Sequence, residues 1–239
     1  MIKVGVILSG CGLLDGSEIS EAVLTFLALD RAGASAVALA PDVDASDVID
    51  HYTGNEMRGQ GGGQTRNVLA ESARIVRGKI TSLHEVSAHD IDALIVVGGY
   101  GAVKNLCTFA RDGVGASINP QVQRLISEVV ALGKPLGSMC IASVVVALAL
   151  RSRENGSAPI LTIGDDLQTL TALESWGARH QTTNAEQICI DEGNRIVSTP
   201  AFMLATGPAQ AEIGINKLVE HILSMAAQTS QELRDNVNL

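Results

Sequence analysis

The sequence predicts a doubly wound α/β fold, with a mostly parallel sheet covered by helices on both faces. Three observations lead there. Short apolar runs alternate with stretches of helical period along most of the 239 residues. Apolar residues make up 46% of the chain and aromatic residues only 3%. Ala, Val, Leu and Ile must therefore fill the core, which suits strands buried on both sides. No repeat or linker divides the chain. Residues 1–227 read as one domain, and residues 228–239 as a polar tail expected to fray.

The first strand is expected over residues 2–8, ending in Ser9-Gly10-Cys11-Gly12. Asp15, with Glu18 three residues on, has the pattern of a capping box and starts a helix that Gly33 ends. A second strand over 36–40 closes at Pro41. Residues 52–64 read as loop, loosest over 59–63, and Thr65 then caps a helix to Val76. Residues 79–83 suit a strand. Residues 93–97 read as a buried strand running into Gly98-Gly99-Tyr100-Gly101. Pro120 opens and Gly133 closes a further helix. Residues 136–139 form a strand that passes directly into an apolar helix from Ile141. Beyond Pro159 come a short strand at 160–163, a helix at 166–176 and a hairpin pairing 187–190 with 195–198. The last helix spans 208–227. Ligands of such sheets bind beyond the carboxyl ends of the strands, so the loops after Leu8, Val97 and Met139 matter most.

The 17 basic and 26 acidic side chains leave a formal charge of −9. That balance, with few aromatics, argues against nucleic acid and against an anionic membrane surface as partners. No apolar run reaches the length of a membrane span. No charged segment precedes a long apolar one at the N-terminus, which leads to the expectation of a cytoplasmic protein. Cys11, Cys107, Cys140 and Cys189 form no CxxC pair and read as free thiols. No metal-ligand spacing is present. His84 and His89 are one residue too far apart for a zinc-protease helix, and Gly10-Cys11-Gly12 misses the dinucleotide fingerprint by one place. The sequon at Asn155 has no secretory context.

The strongest chemical signal is Gly137-Ser138-Met139-Cys140-Ile141-Ala142. A nucleophile elbow is a sharp turn between strand and helix that leaves room only for small side chains two places before and after the nucleophile. Those places hold Ser138 and Ala142. The sulfur would lie over a helix N-terminus, whose partial positive charge favours a thiolate. A buried, inert thiol in a packed core is the other reading. Gly98 and Gly99 end a strand beside this turn. Either they present N–H groups to a reacting atom, together with Ile141, or they form an ordinary loop. Glu21 lies one turn inside a helix that is apolar nearly all round. There it is either a protonated acid available for proton transfer or a partly exposed helix glutamate. Glu18 has a capping role open to it, and Cys11 follows the first strand and lies near these loops.

With these residues assembled, the chain resembles the PfpI (DJ-one) superfamily, and within it the ElbB-like glyoxalases. The resemblance rests on residues 6–12 with Asp15-Gly16-Ser17-Glu18-Ile19, on Thr65-Arg66-Asn67-Val68-Leu69, on residues 98–106, on the elbow, on Ile163-Gly164 and on Thr199-Pro200-Ala201-Phe202-Met203. It implies a flavodoxin-like fold and a homodimer. It also implies Cys140 as nucleophile, Gly99 and Ile141 as oxyanion donors through their backbone N–H groups, and Glu21 as the acid, ahead of Glu18. The activity implied is a glyoxalase of low turnover that needs no cofactor, converting glyoxal or methylglyoxal to a 2-hydroxy acid. Ile141 stands where other members often carry His, and Val97 where Pro is usual. The loop at 59–63 is longer than the ElbB-like pattern. Two other readings remain: a redox or stress-responsive binding protein with an oxidisable Cys140, and a Cys-dependent hydrolase or amidotransferase-like enzyme, which needs a His beside Cys140.

Overall fold

A computed structural model describes residues 1–57, 65–151, 153 and 156–237. The loop expected at 59–63 and the sequon residue Asn155 lie outside the described residues. The chain begins with β1 (Lys3–Ile7), α1 (Ile19–Arg31) and β2 (Ser35–Ala40). A small hairpin, β3 (Ile49–Asp50) with β4 (Asn55–Glu56), stands apart from the main sheet. Then follow α2 (Val68–Ile75), β5 (Thr81–Ser82), β6 (Ala93–Val96), a π-helical turn at Ala102–Leu106 and the one-turn α3 (Phe109–Asp112). α4 (Pro120–Ala131), β7 (Leu136–Met139) and α5 (Ser143–Leu150) carry the chain through the elbow. β8 (Ile160–Leu161), α6 (Leu167–Ser175), β9 (Arg179–His180), β10 (Cys189–Asp191), β11 (Ile196–Thr199) and α7 (Pro208–Val237) complete it.

Seven strands form one sheet in the order β10-β11-β7-β6-β1-β2-β5. Every pairing is parallel except β10 with β11, the expected hairpin, which adds an antiparallel edge. Because side chains alternate along a strand, each strand feeds two cores. Ile7, Leu94, Val96 and Leu136 pack on one side with α4 and α5. Val4, Val6, Ile95 and Met139 pack on the other with α1 and α7. All eight residues of α5 are buried, which explains why its sequence has no polar face. Successive connections from β1 and β6 leave to opposite sides of the sheet. Their ends, with that of β7, open the crevice in which such folds place their chemistry.

Four local expectations need correction. α1 starts a turn later than Asp15, with Glu18 itself as N-cap. The cause is that Asp15 is engaged elsewhere: its Oδ2 accepts from the Ile49 N–H at 2.7 Å. α2 is capped by Asn67, whose Oδ1 accepts from the Ala70 N–H at 2.9 Å, not by Thr65. β8 pairs with β9 outside the main sheet. Finally, α7 continues to Val237, past the expected end at Ala227, since residues 228–237 contain no Gly or Pro to stop it.

Candidate active site

β7 gives way to helix within a single residue at Cys140, and this residue takes the strain. Its φ is +55°, a left-handed conformation that costs a non-glycine residue on the order of 1 kcal/mol or more. One 3₁₀ turn, Cys140–Ala142, leads into α5. Ser138 and Ala142 are fully buried, as the crowding of an elbow requires. The Ser138 and Ser143 hydroxyls lie 3.0 Å apart, and Ser143 donates to the Thr162 carbonyl at 2.9 Å. These bonds tie strand and helix together behind the turn. Only 6% of Cys140 is exposed.

α1 delivers an acid to this sulfur. Glu18, as N-cap, accepts the Glu21 N–H on its Oε2 at 2.5 Å, so Glu18 is used in holding the helix. Glu21, in the first turn, is wholly buried. Its Oε1 accepts from the Phe202 N–H at 3.2 Å. Its Oε2 faces Gly98 and the Cys140 side chain, without a partner of good geometry among the described residues. Burial first, and then the charge of Glu18, push the Glu21 carboxyl up to about 8, against the pull of the Phe202 N–H and the nearby thiol. The acid therefore keeps its proton at neutral pH.

The glycines at the end of β6 explain how acid and thiol come so close. A Cβ on Gly98 would sit 2.5 Å from Glu21 Oε2 and 2.6 Å from Cys140 Cβ. Gly99 takes φ +95°, and a Cβ there would run into the backbone of Glu18 and Gly16. The backbone N–H groups of Gly99 and Ile141 point at the Cys140 sulfur and favour its charged form. That effect is outweighed. Burial first, then the Glu21 carboxylate, hold the Cys140 thiol well above its ordinary value. The pull of the helix N-terminus toward a thiolate is present, as expected, but does not set the state of the sulfur, which is closed off and faces an acid.

The structure brings Cys140, Glu21, Gly98, Gly99 and Ile141 together and sets Glu18 one layer back as a cap. Cys11 is not among them. It forms a bridge with Ser17 and lines a small cleft with Asp47, Arg66 and Glu71. Burial and then the charge of Glu71 push its thiol up. Phe202, whose N–H holds Glu21, was not singled out from the sequence. Its only signal was a place in the segment shared with the resembled family. No histidine is among the largest influences on Cys140. His51 accepts from the Leu14 N–H, His84 bonds Ser82, and His221 approaches Glu192. His89 lies in the turn at Ala88–Asp90, and His180 is in β9. Among the described residues, no cluster of three or more His, Cys, Asp or Glu side chains is arranged to hold a metal ion.

Comparison with known proteins fits this picture. No family model matches the chain. It is 40% identical to the human glutamine amidotransferase-like class 1 domain-containing protein 3, mitochondrial, over 95% of this chain and 84% of that protein. It is 39% identical to the ES1 protein homolog, mitochondrial, of Rattus norvegicus, over 95% and 85%. Among solved structures, an isoprenoid biosynthesis protein with amidotransferase-like domain from Ehrlichia chaffeensis superposes with a TM-score of 0.83. It is 31% identical and covers 93% of this chain and 99% of its own. Drosophila melanogaster DJ-1beta, 16% identical, shares the fold at a TM-score of 0.54, covering 97% of each chain. The cytoplasmic expectation is overturned by these comparisons, since both of the curated relatives named above are described as mitochondrial. The identities, spread over nearly the whole chain, and the common architecture decide its kinship: this chain belongs to the family of the glutamine amidotransferase-like class 1 domain and ES1 proteins, built on the DJ-1/PfpI fold.

Proposed function

We propose that the chain is a cofactor-independent glyoxalase acting on glyoxal or methylglyoxal, with Cys140 as nucleophile and Glu21 as proton carrier. The observation that carries this reading is the buried Glu21 carboxyl, raised to about 8 and turned toward Cys140. A group that titrates near neutral pH can both give and take a proton during one turnover. The reacting form has lost one proton from the pair, leaving the sulfur as thiolate beside a protonated Glu21; the thiolate adds to one aldehyde carbon while Glu21 gives its proton to the new alkoxide, forming a hemithioacetal and a Glu21 carboxylate. The N–H groups of Gly99 and Ile141 face the charge that develops there. Glu21, now ionised, removes the proton from the same carbon and returns it to the neighbouring carbon through an enediol. The result is a thioester of the 2-hydroxy acid. Water cleaves the thioester, releasing glycolate or lactate and restoring the thiol. The aldehyde carbon is oxidised and the neighbouring carbonyl carbon reduced, so no outside oxidant is needed.

Metal-free protein incubated with glyoxal should form glycolate, read by proton NMR, and Cys140→Ser should form none. Turnover that survives Cys140→Ser would sink the mechanism. The names of the relatives favour a second reading, an amidotransferase-like hydrolase acting through the same cysteine. Release of ammonia from glutamine, lost in Cys140→Ser, would support it in place of the first. The lack of a histidine among the largest influences on Cys140 weighs against it.

A further inference from the structure

We infer that Asn105, with Lys104 beside it, is a positioning residue that holds the Gly98–Gly99 turn against the Cys140 sulfur. This rests on Cys140 being the reacting group. The turn is not fixed by the sheet alone. Three backbone bonds hold it to the loop that follows β1: Glu18 N–H to the Gly98 carbonyl at 3.0 Å, Tyr100 N–H to Leu13 at 2.8 Å and Gly101 N–H to Gly16 at 2.9 Å. Where that loop goes, the Gly99 N–H goes too.

The loop, in turn, is pinned by one side chain at both ends. Asn105 is only 8% exposed. Its amide N–H groups donate to the carbonyls of Ser9 and Asp15, each at 2.9 Å, and its oxygen accepts from the Ser46 N–H at 2.9 Å. Two carbonyls and one N–H around a single amide leave one orientation that satisfies all three. Lys104 adds a tie from the solvent side, donating to the Leu14 carbonyl at 2.7 Å and to Asp47 at 2.9 Å. Both residues lie on the π-helical turn at Ala102–Leu106, directly after Gly99. The segment that carries the sulfur's N–H donor therefore also carries the side chains that fix it. π-helical turns are frequent at functional sites.

The test is the pH profile of Cys140 alkylation by iodoacetamide in full-length protein, followed by peptide mass spectrometry. Asn105→Asp keeps the size and the acceptor for Ser46 but turns both donors into an oxygen facing two carbonyls. It should slow Cys140 alkylation about tenfold at pH 8 and move the profile to higher pH, as expected when a sulfur loses one well-aimed N–H. Lys104→Met should move it the same way by less, and serves as the readout if Asn105→Asp does not fold. Leu125→Ala, in the core on the face of the sheet away from Cys140 and shared with the π turn, controls for general loosening around that turn. A wild-type profile in the folded variants, or an equal shift in Leu125→Ala, would overturn the inference. Alkylation does not depend on the substrate. A wild type that turns over no glyoxal therefore defeats the glyoxalase reading and leaves this one to be judged by the profile.

Discussion

Replacing Glu21 by Gln should change how the stability of the fold depends on pH, and the size of the change follows from burial. The Glu21 carboxyl is raised from 4.5 to about 8 in the folded chain. Below 4.5 it is protonated in both folded and unfolded states, and its contribution is fully present. As pH rises, the unfolded chain ionises Glu21 while the folded chain keeps it neutral. Folding then has to bind a proton, at about 1.4 kcal/mol per pH unit. The loss continues until the folded carboxyl itself ionises and totals on the order of 5 kcal/mol by pH 8. Gln has nearly the same shape and never ionises. From pH 5 to pH 7 the variant should therefore gain about 2–3 kcal/mol on the wild type, a shift of about 1 M in the urea midpoint. Urea unfolding of both proteins at pH 5, 6, 7 and 8 measures this directly. Cys140, raised well above 9, does not titrate in that window. Parallel stability curves from pH 5 to pH 8 would mean that Glu21 is ionised in the fold, and the argument for a protonated acid would fail.

Glu18→Ala should remove the α1 cap at a cost of about 1 kcal/mol, seen as a fall of about 2–4 °C in Tm. It should also lower the pH at which Glu21 ionises, because the Glu18 charge helps raise it. Gly98→Ala places a methyl 2.5 Å from Glu21 Oε2. It should cost about 1–3 kcal/mol by overpacking and abolish Cys140 alkylation, so alkylation at the wild-type rate would show that the cradle is looser than described. The partly exposed α1 residues Ile19 and Val23, 46% and 48% accessible, fit the expected homodimer. Sedimentation should give twice the 24.9 kDa chain mass, and Val23→Glu should halve it.

The elbow was legible because its requirements are local. A turn with φ +55° at Cys140 needs small neighbours two places away, and Ser138 and Ala142 stand in order along the chain. The parallel sheet was legible for a similar reason, since strands buried on both faces must be apolar throughout. What was not legible depends on distant pairing. Asp15-x-x-Glu18 imitates a capping box, and only the fold shows that Asp15 is taken by Ile49 and that Glu18, a poor N-cap by type, closes the helix instead. The hold of Phe202 on Glu21 spans 181 residues, and no spacing rule reaches that far. The short strand at residue 160 reads like any other apolar run, yet it pairs with β9, a partner nineteen residues on, in a separate two-stranded sheet. The compartment was misjudged for a different reason: folding physics does not encode it.

The site's chemistry follows from two groups sharing one dry space. Neither Cys140 nor Glu21 ionises readily there: burial raises both, the Glu21 carboxylate raises Cys140 further, and the neutral thiol in turn eases ionisation of Glu21. The doubly charged state is therefore the one the fold disfavours most, and the proposed mechanism uses a form with a single negative charge on one of the two. If the charge is on sulfur, the acid is ready to protonate an alkoxide. If the charge is on Glu21, it is ready to take a proton from carbon. A mechanism that needs both forms in succession suits this arrangement better than one that needs a stable thiolate throughout. The Gly99 and Ile141 N–H groups favour the sulfur-charged form, and the Phe202 N–H favours the carboxylate. In the proposed mechanism, the balance between the two charged forms thus depends on how three backbone donors are aimed. It is through the aim of the Gly99 donor that the proposed positioning role of Asn105 would be felt at the sulfur.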